Sequence, residues 1–474
     1  MPSSRLRAPL AACLAVLATG ALAQAPNQPG APQTSDQPAA NSASAPPSIQ
    51  SSLGPAGDPG GVRSFLSSKG IDYSLTYIGE VLRNARGGSR TGTIGQGRFD
   101  LQIDADLDRL LGWKGAAFHT NLYQIHGTGL SRYYVNNLLV TSGIEALPST
   151  RLYELWLEQK FLEGAVAIRA GQLAADTEFF VSQTAGLFVN STFGWPGYAG
   201  ANLPSGGPAY PLATPGVRVK LAPTDGVTLM VGLFNGDPAG PANDIDPQRR
   251  NRRGTTFRVN DPPFLIAEGA YAYGLGSKDA ALPGTVKVGY WHHFARFDAQ
   301  RYDALGLSLA DPSGTGIARR LPGNDGVYAI VDQTLYRPAG AADGGLSAFL
   351  RLAASPGDRN LISAYADAGL AYKGLLPGRP NDTAGIGVAY ARISDAARGL
   401  DRDTILFTGT PGIVRSREAL VEVTYQAEVV PGWTVQPNVQ YIARPGGGIA
   451  NPRDPDGAKQ KDAVVFGART TIRY

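Results

Sequence analysis

Residues 418–442, EALVEVTYQAEVVPGWTVQPNVQYI, alternate with period two. Ala419, Val421, Val423, Tyr425, Ala427 and Val429 are apolar, and Glu418, Glu422, Thr424, Gln426 and Glu428 between them are polar. After Pro431-Gly432 the pattern resumes, with Trp433, Val435, Pro437, Val439 and Tyr441 on one face and Thr434, Gln436, Asn438 and Gln440 on the other. The final residues repeat it: Val464, Phe466, Ala468, Ile472 and Tyr474 oppose Gly467, Arg469, Thr471 and Arg473. Successive strand side chains point to opposite faces, so each segment is a strand with one apolar and one wet face. A run of about ten residues crosses hydrocarbon when tilted, and Trp or Tyr near its ends suits an interfacial girdle. In lipid only a closed sheet satisfies its own backbone, so the pattern predicts an all-β fold, a transmembrane antiparallel β-barrel.

The same stretch carries a family resemblance. Glu418, Glu422, Tyr425, Gln426, Trp433, Gln436, Pro437, Asn438, Gln440, Tyr441, Pro445 and Gly446, with Gly467 and Arg469, are similar to the C-terminal signature of the carbohydrate-selective porins. Gly70-Ile71, Tyr77, Glu80, Gly112-Trp113, Trp156, Arg169 and Gly171-Gln172 extend the resemblance over most of the chain. It implies passive, selective diffusion of small carbohydrates through a bacterial outer membrane, by a channel rather than an enzyme. The expected surroundings are outer-membrane lipid and lipopolysaccharide, and the expected state a monomer or homotrimer. Residues 173–215 depart most from the family pattern and leave the sugar open. Two rival readings stand beside this one: a general or anion-preferring porin, whose lumen would be dominated by Arg and Lys, and a structural or adhesive barrel with a plugged lumen.

Working outward, Arg5 and Arg7 precede an apolar run from Ala8 to Leu22 that ends in Ala21-Leu22-Ala23, the form of a signal peptide over residues 1–23. Residues 24–61 are rich in Pro, Ala, Ser and Gln and read as an unstructured leader, leaving 62–474 for the barrel. The single cysteine, Cys13, falls in the expected signal peptide, so no disulfide, Cys metal site or Cys nucleophile is expected beyond it. With 43% hydrophobic and 17% charged residues and a net charge of +4, the composition does not suit a nucleic-acid binder. No cofactor or metal is expected. Asp104, Asp106 and Asp108 open like a calcium loop, but the Gly and Glu such a loop requires are absent, and they read as inward residues of the second strand.

Matching the period-two template gives sixteen strands, from Ile71–Val81 and Arg98–Leu107, through Thr285–His292 and Val327–Leu335, to the three described above. The gaps alternate. Short connections such as Glu163-Gly164 and Pro431-Gly432 follow even strands, and long ones such as 126–150, 173–215, 235–263, 293–326 and 394–415 follow most odd strands. Short turns on one rim and long loops on the other are the pattern of outer-membrane barrels. Ser355–Leu361 is short on the long-loop side and is where a miscount of two strands would fall.

Alternation also divides lumen from lipid. On the fourth strand it sends Tyr153, Leu155 and Leu157 to lipid and Glu154, Trp156, Glu158 and Lys160 inward. The inward set continues with Arg169, Arg218, Lys220, Glu268, Lys287 and Trp291, and then Glu422, Gln426, Gln436, Asn438, Gln440 and Arg469. Carboxylates, amides and guanidinium forks match hydroxyls that donate and accept, and Trp156 offers a platform for the C–H face of a sugar. A barrel of this size needs a polar interior in any case, and Glu/Arg pairs also brace walls. The loop 173–215 carries Phe179, Phe180, Phe188, Phe193, Trp195, Tyr198 and Tyr210; the resemblance implies that it folds into the lumen as a constriction. An external cap, or packing against the wall, would use the same residues.

Overall fold

A computed structural model describes residues 47–242, 245–275, 282–339 and 344–474; the expected signal peptide and residues 24–46 of the expected leader lie outside these. Sixteen strands form one closed barrel in which each is antiparallel to its sequence neighbour and the first closes on the last. They are β1 (Ile71–Gly88), β2 (Gly92–Asp106), β3 (Ala116–Gly127), β4 (Ser149–Phe161), β5 (Val166–Leu173), β6 (Thr214–Thr224), β7 (Val227–Phe234) and β8 (Phe264–Tyr273) in the first half. The second half holds β9 (Gly284–Asp303), β10 (Ala318–Tyr336), β11 (Gly345–Ala354), β12 (Ile362–Lys373), β13 (Thr383–Ile393), β14 (Arg417–Val430), β15 (Trp433–Ala443) and β16 (Lys461–Arg473). Closure leaves no free sheet edge along the span, which is what permits a sheet to stand in hydrocarbon.

The alternation sorts the side chains as the pattern requires. On β14 and β15, Val421, Val423, Val439 and Tyr441 are exposed on the outer wall while Glu418, Glu422, Gln436 and Gln440 are buried inside. Among the described residues the strands number sixteen, and the connection after β11 is a short one on the long-loop rim with no strand in it. The loop expected over 293–326 is instead largely sheet: β9 and β10 continue past their neighbours as a two-stranded ribbon, pairing as far as Asp303 and Ala318. Period two does continue into β9, where Ala295, Phe297 and Ala299 alternate with Arg296, Asp298 and Gln300, but it lapses in the β10 half, Arg319-Arg320-Leu321-Pro322-Gly323-Asn324, so the pairing is not betrayed. A two-stranded ribbon is marginal alone. Here it leans on α1 (Asp395–Thr408), whose Asp403 accepts Arg301 Nε and Nη2 at 2.7 and 2.9 Å.

At the short-turn rim the expectation of an unstructured leader does not extend to residues 47–61, which form the 3-10 turns Ile49–Gly57 and Pro59–Gly61. What holds them is the barrel seam. The short helix Val62–Ser68 follows, and its Arg63 lies over the rings of Tyr73 and Tyr474 at 4.9 and 5.1 Å, with Nη2 donating to Tyr73 O at 2.8 Å. Strand β1 begins before the end of β16, and this guanidinium takes up one of the carbonyls left over. Asp106 and Asp108 are also not lumen residues as expected: Asp106 Oδ1 accepts the N–H groups of Asp108 and Arg109, capping the helix Leu107–Leu111 that ends β2.

Inward glycines let aromatic rings lie against the wall. A Cβ on Gly289 would stand 2.0 Å from Cζ of Tyr328, and one on Gly387 2.8 Å from Phe193 and 3.0 Å from Phe188. Tyr328 has little room to yield, since its ring stacks on Phe180 at 4.0 Å and its hydroxyl donates to Glu268 at 2.8 Å. Gly289→Ala is therefore expected to destabilise the barrel by about 1–3 kcal/mol, the range for overpacking a filled interior. Denaturant unfolding of detergent-folded protein would measure it, and an unchanged midpoint would mean that the ring stack can shift freely.

Candidate functional site

The connection after β5 enters the lumen and crosses it. Its backbone is held by side chains from strands around the barrel. Glu154 of β4 accepts the N–H of Ala174, and Glu268 of β8 that of Phe180. Asp332 of β10 takes the Ser182 hydroxyl at 2.6 Å and the Thr184 N–H at 3.1 Å. Arg351 of β11 donates to the carbonyls of Phe180, Thr192 and Gly194 at 3.1, 2.7 and 2.8 Å. Glu422 of β14 accepts the N–H groups of Val189 and Asn190 at 2.7 and 2.9 Å, and Gln436 and Gln440 of β15 reach Leu187 O and Asn190 Nδ2. Of the expected lumen residues, Glu154, Glu422 and Gln440 thus hold the loop, while Arg469 pairs chiefly with Glu80 at 2.6 Å. Gln426 faces the lumen nearer the short-turn rim, half-buried.

The expected constriction residues are the loop's packing side. Phe179 meets Phe234 edge-on, Phe188 and Phe193 meet Phe349, and Tyr198 packs near Trp291 and Tyr365 while its hydroxyl donates to Ala354 O. Trp195 donates to Gly206 O within the loop. The long connection after β3 joins in from the mouth: Leu138 and Leu139 give their N–H groups to Glu418, and Gly143 N and Ser191 N bridge the two loops by bonds of 2.9 Å to Val189 O and Val140 O.

Opposite this packed side lies a charged ring. Glu158, Arg169 and Arg218 stand in one register row on β4, β5 and β6, and Glu178 reaches them from the loop. Arg218 Nη2 lies 2.7 Å from Glu158 Oε2 and 2.6 Å from Glu178 Oε1; Arg169 Nη2 lies 3.0 Å from Glu158 and its Nη1 3.4 Å from Glu178. Glu178 is the most exposed of the four, at 18%. Lys220 faces the lumen in the next row, outside the ring.

Trp156 does not have a free face. Arg169 lies over its ring at 3.7 Å and His119 is stacked at 4.8 Å, so the indole is 5% exposed and presents only an edge. Tyr153 overturns the expectation that it faces lipid. The register between β3 and β4 slips between Thr120 and Leu122, placing Tyr153 and Glu154 together opposite one residue, and both are buried. This bulge turns Tyr153 inward, where its hydroxyl donates to Asp176 at 2.9 Å and its ring packs on Tyr123 at 4.7 Å. Sequence reading missed Glu178 and Asp176, the acids of an otherwise aromatic loop, although their isolation was the available signal. It also missed Asp332, Arg351 and Asp367, which follow the inward parity of their strands.

Arg351 and Asp367 have no exposed side-chain surface. Removing one member of such a pair strands a buried charge, at a cost of about 3–5 kcal/mol, whereas removing both costs less. Arg351→Ala is therefore expected to loosen the loop, read as faster proteolysis within 174–213, and Arg351→Ala with Asp367→Ala to recover part of the protection. Equal damage in single and double variants would show that the carbonyl contacts of Arg351, not its pairing, hold the loop.

Comparison with known proteins agrees with this architecture. The family model for carbohydrate-selective porins, the OprB family, matches residues 90–474. Porin B of Pseudomonas aeruginosa is 27% identical over 420 residues, covering 82% of this chain and 87% of the relative. The putative porin QuiX of Acinetobacter baylyi is 22% identical over 423 residues, covering 82% and 88%. The high-pH structure of Pseudomonas putida OprB superposes with a TM-score of 0.77 at 24% identity, over 88% of this chain and 97% of that one. A sixteen-stranded barrel, a connection after β5 that crosses the lumen and a family match over residues 90–474 together make this chain a member of the carbohydrate-selective porin family, an outer-membrane channel for sugars.

Proposed function

We propose that small sugars cross beside β2 to β6, at the ring of Glu158, Arg169, Arg218 and Glu178. The ring's geometry carries this reading. Two guanidinium forks and two carboxylates balance formally, so the row offers donors and acceptors without the strong single-sign field that selects ions. A hydroxyl can donate to Glu178 and accept from an arginine. Arg218 Nη1 and Trp156 Nε1 have no hydrogen-bond partner among the described residues but are fully buried, so Glu178, the most exposed of the ring's four residues, is the group a solute meets first. The ring's own bonds are already made, so a passing sugar exchanges hydrogen bonds rather than adding them, and binding stays weak enough for release. Passage on this side is supported by the loop's aromatic residues packing on β7, β9, β11 and β12, while toward β4 to β6 the loop meets the wall through polar side chains, Asp176 with Tyr153 and Glu178 with the two arginines. The outer apolar band faces the lipid of the outer membrane on this reading.

Single-channel conductance in planar bilayers, titrated with glucose, tests the proposal. Concentration-dependent block is expected. Glu178→Gln keeps the shape but removes an ionised acceptor, and should weaken the block about tenfold, equivalent to about 1.4 kcal/mol for one charge-assisted hydrogen bond. An open channel indifferent to every sugar would instead support a general porin. Absence of conductance would support the plugged barrel, for which the burial of Phe179, Phe188, Phe193 and Tyr198 would account.

A further inference from the structure

The inward row next to the ring, toward the short-turn rim, holds Lys160 on β4 and Lys220 on β6, with Ala167 of β5 between them in register. With strands about 4.8 Å apart, the two lysine Cα atoms stand about 10 Å from each other across a residue too short to come between their side chains. Both are half-buried, and neither ammonium has a hydrogen bond or ion pair among the described residues. The acids nearby are engaged elsewhere. Glu158 and Glu178 bind Arg169 and Arg218. Glu268, two strands beyond Lys220 in the same row, accepts the Phe180 N–H and the Tyr328 hydroxyl and faces Lys287 at 3.7 Å. The ring's two carboxylates are matched by its two guanidiniums, so the charge of the lysines is left over.

We infer that Lys160 and Lys220 form an anion subsite, and that the solute it favours is a sugar bearing a carboxylate, a uronic or aldonic acid. Its hydroxyls engage the ring while its carboxylate sits over Ala167 between the two ammonium groups. The spacing suits one monosaccharide, because adjacent inward rows along a strand are about 7 Å apart. Two half-buried cations in a low-dielectric channel attract an anion more strongly than the same charges on an open surface. This inference rests on the reading of the ring as the sugar passage.

The test compares block of single-channel current by glucuronate, by its neutral counterpart glucose, and by acetate, which has the charge without the ring. Wild type is expected to be blocked by glucuronate at concentrations at least fivefold lower than by glucose or acetate. The double variant Lys160→Gln with Lys220→Gln should lose that preference, and Lys160→Arg with Lys220→Arg should keep it. Equal block by glucuronate and glucose in wild type, or a preference that survives the Gln double variant, overturns the subsite. Acetate as effective as glucuronate would make it an unselective anion site and also overturn the assignment. Failure of the ring itself looks different, since glucose and glucuronate would then both leave the current unchanged.

Discussion

Glu422 has no exposed surface, and its two oxygens take the N–H groups of Val189 and Asn190. That contact states the constraint on which the interior depends: a loop that enters a closed barrel leaves water behind, and each of its backbone donors and acceptors needs a partner from the wall. Asp332, Glu268 and Glu154 meet donors, and Arg351 meets three carbonyls. A charged wall residue suits this task because charge-assisted bonds to backbone groups are stronger than neutral ones, which offsets the desolvation of the charge. The polar lumen is thus in large part a cradle for its own loop. Only the groups left over from that task are available to solute.

Packing follows the same logic from the other side. Aromatic residues of the loop need flat surfaces, and glycines such as Gly387 and Gly289 leave the wall bare where rings approach. Polar anchoring fixes the height of the loop, and ring packing fixes its lateral position against the later strands. The opposite wall keeps its long charged side chains, and there Arg169 and Arg218 bridge Glu158 of the wall and Glu178 of the loop rather than reaching backbone.

Much of this was legible in the sequence because strand parity is a local property. The alternation through residues 418–442 fixed which of Glu422, Gln436 and Val423 would meet water or lipid, and it did so without knowledge of any partner. Parity fails where the backbone departs from it: the bulge opposite Asn121 turned Tyr153 inward, and no residue type in 149–161 marks a bulge as Gly or Pro would elsewhere. The ribbon beyond the rim was hidden because its β10 half, Arg319 to Asn324, carries no hydrophobic period and is interrupted by Pro322 and Gly323. Which inward charges would be occupied was illegible for a deeper reason. It depends on where a forty-residue loop crosses the lumen, and that follows from the sum of weak contacts around the whole barrel.

Trp156 illustrates what the residue type alone conceals. An inward indole suggests a stacking platform, but a guanidinium on one face and an imidazole near the other convert it into a spacer that holds Arg169 in line with Glu158. Its rigid ring fixes the arginine at a low entropic cost, and a cation over an indole gains further electrostatic energy. If sugars pass at this ring, as proposed, selectivity rests less on any one group gripping the sugar than on how stiffly the ring's four charges are spaced. A stiff ring discriminates by the geometry of hydroxyls that must fit between fixed donors and acceptors. A soft ring would adapt to any polar solute and lose that discrimination, so on that proposal the packing around Trp156 would matter to the filter as much as the charges do.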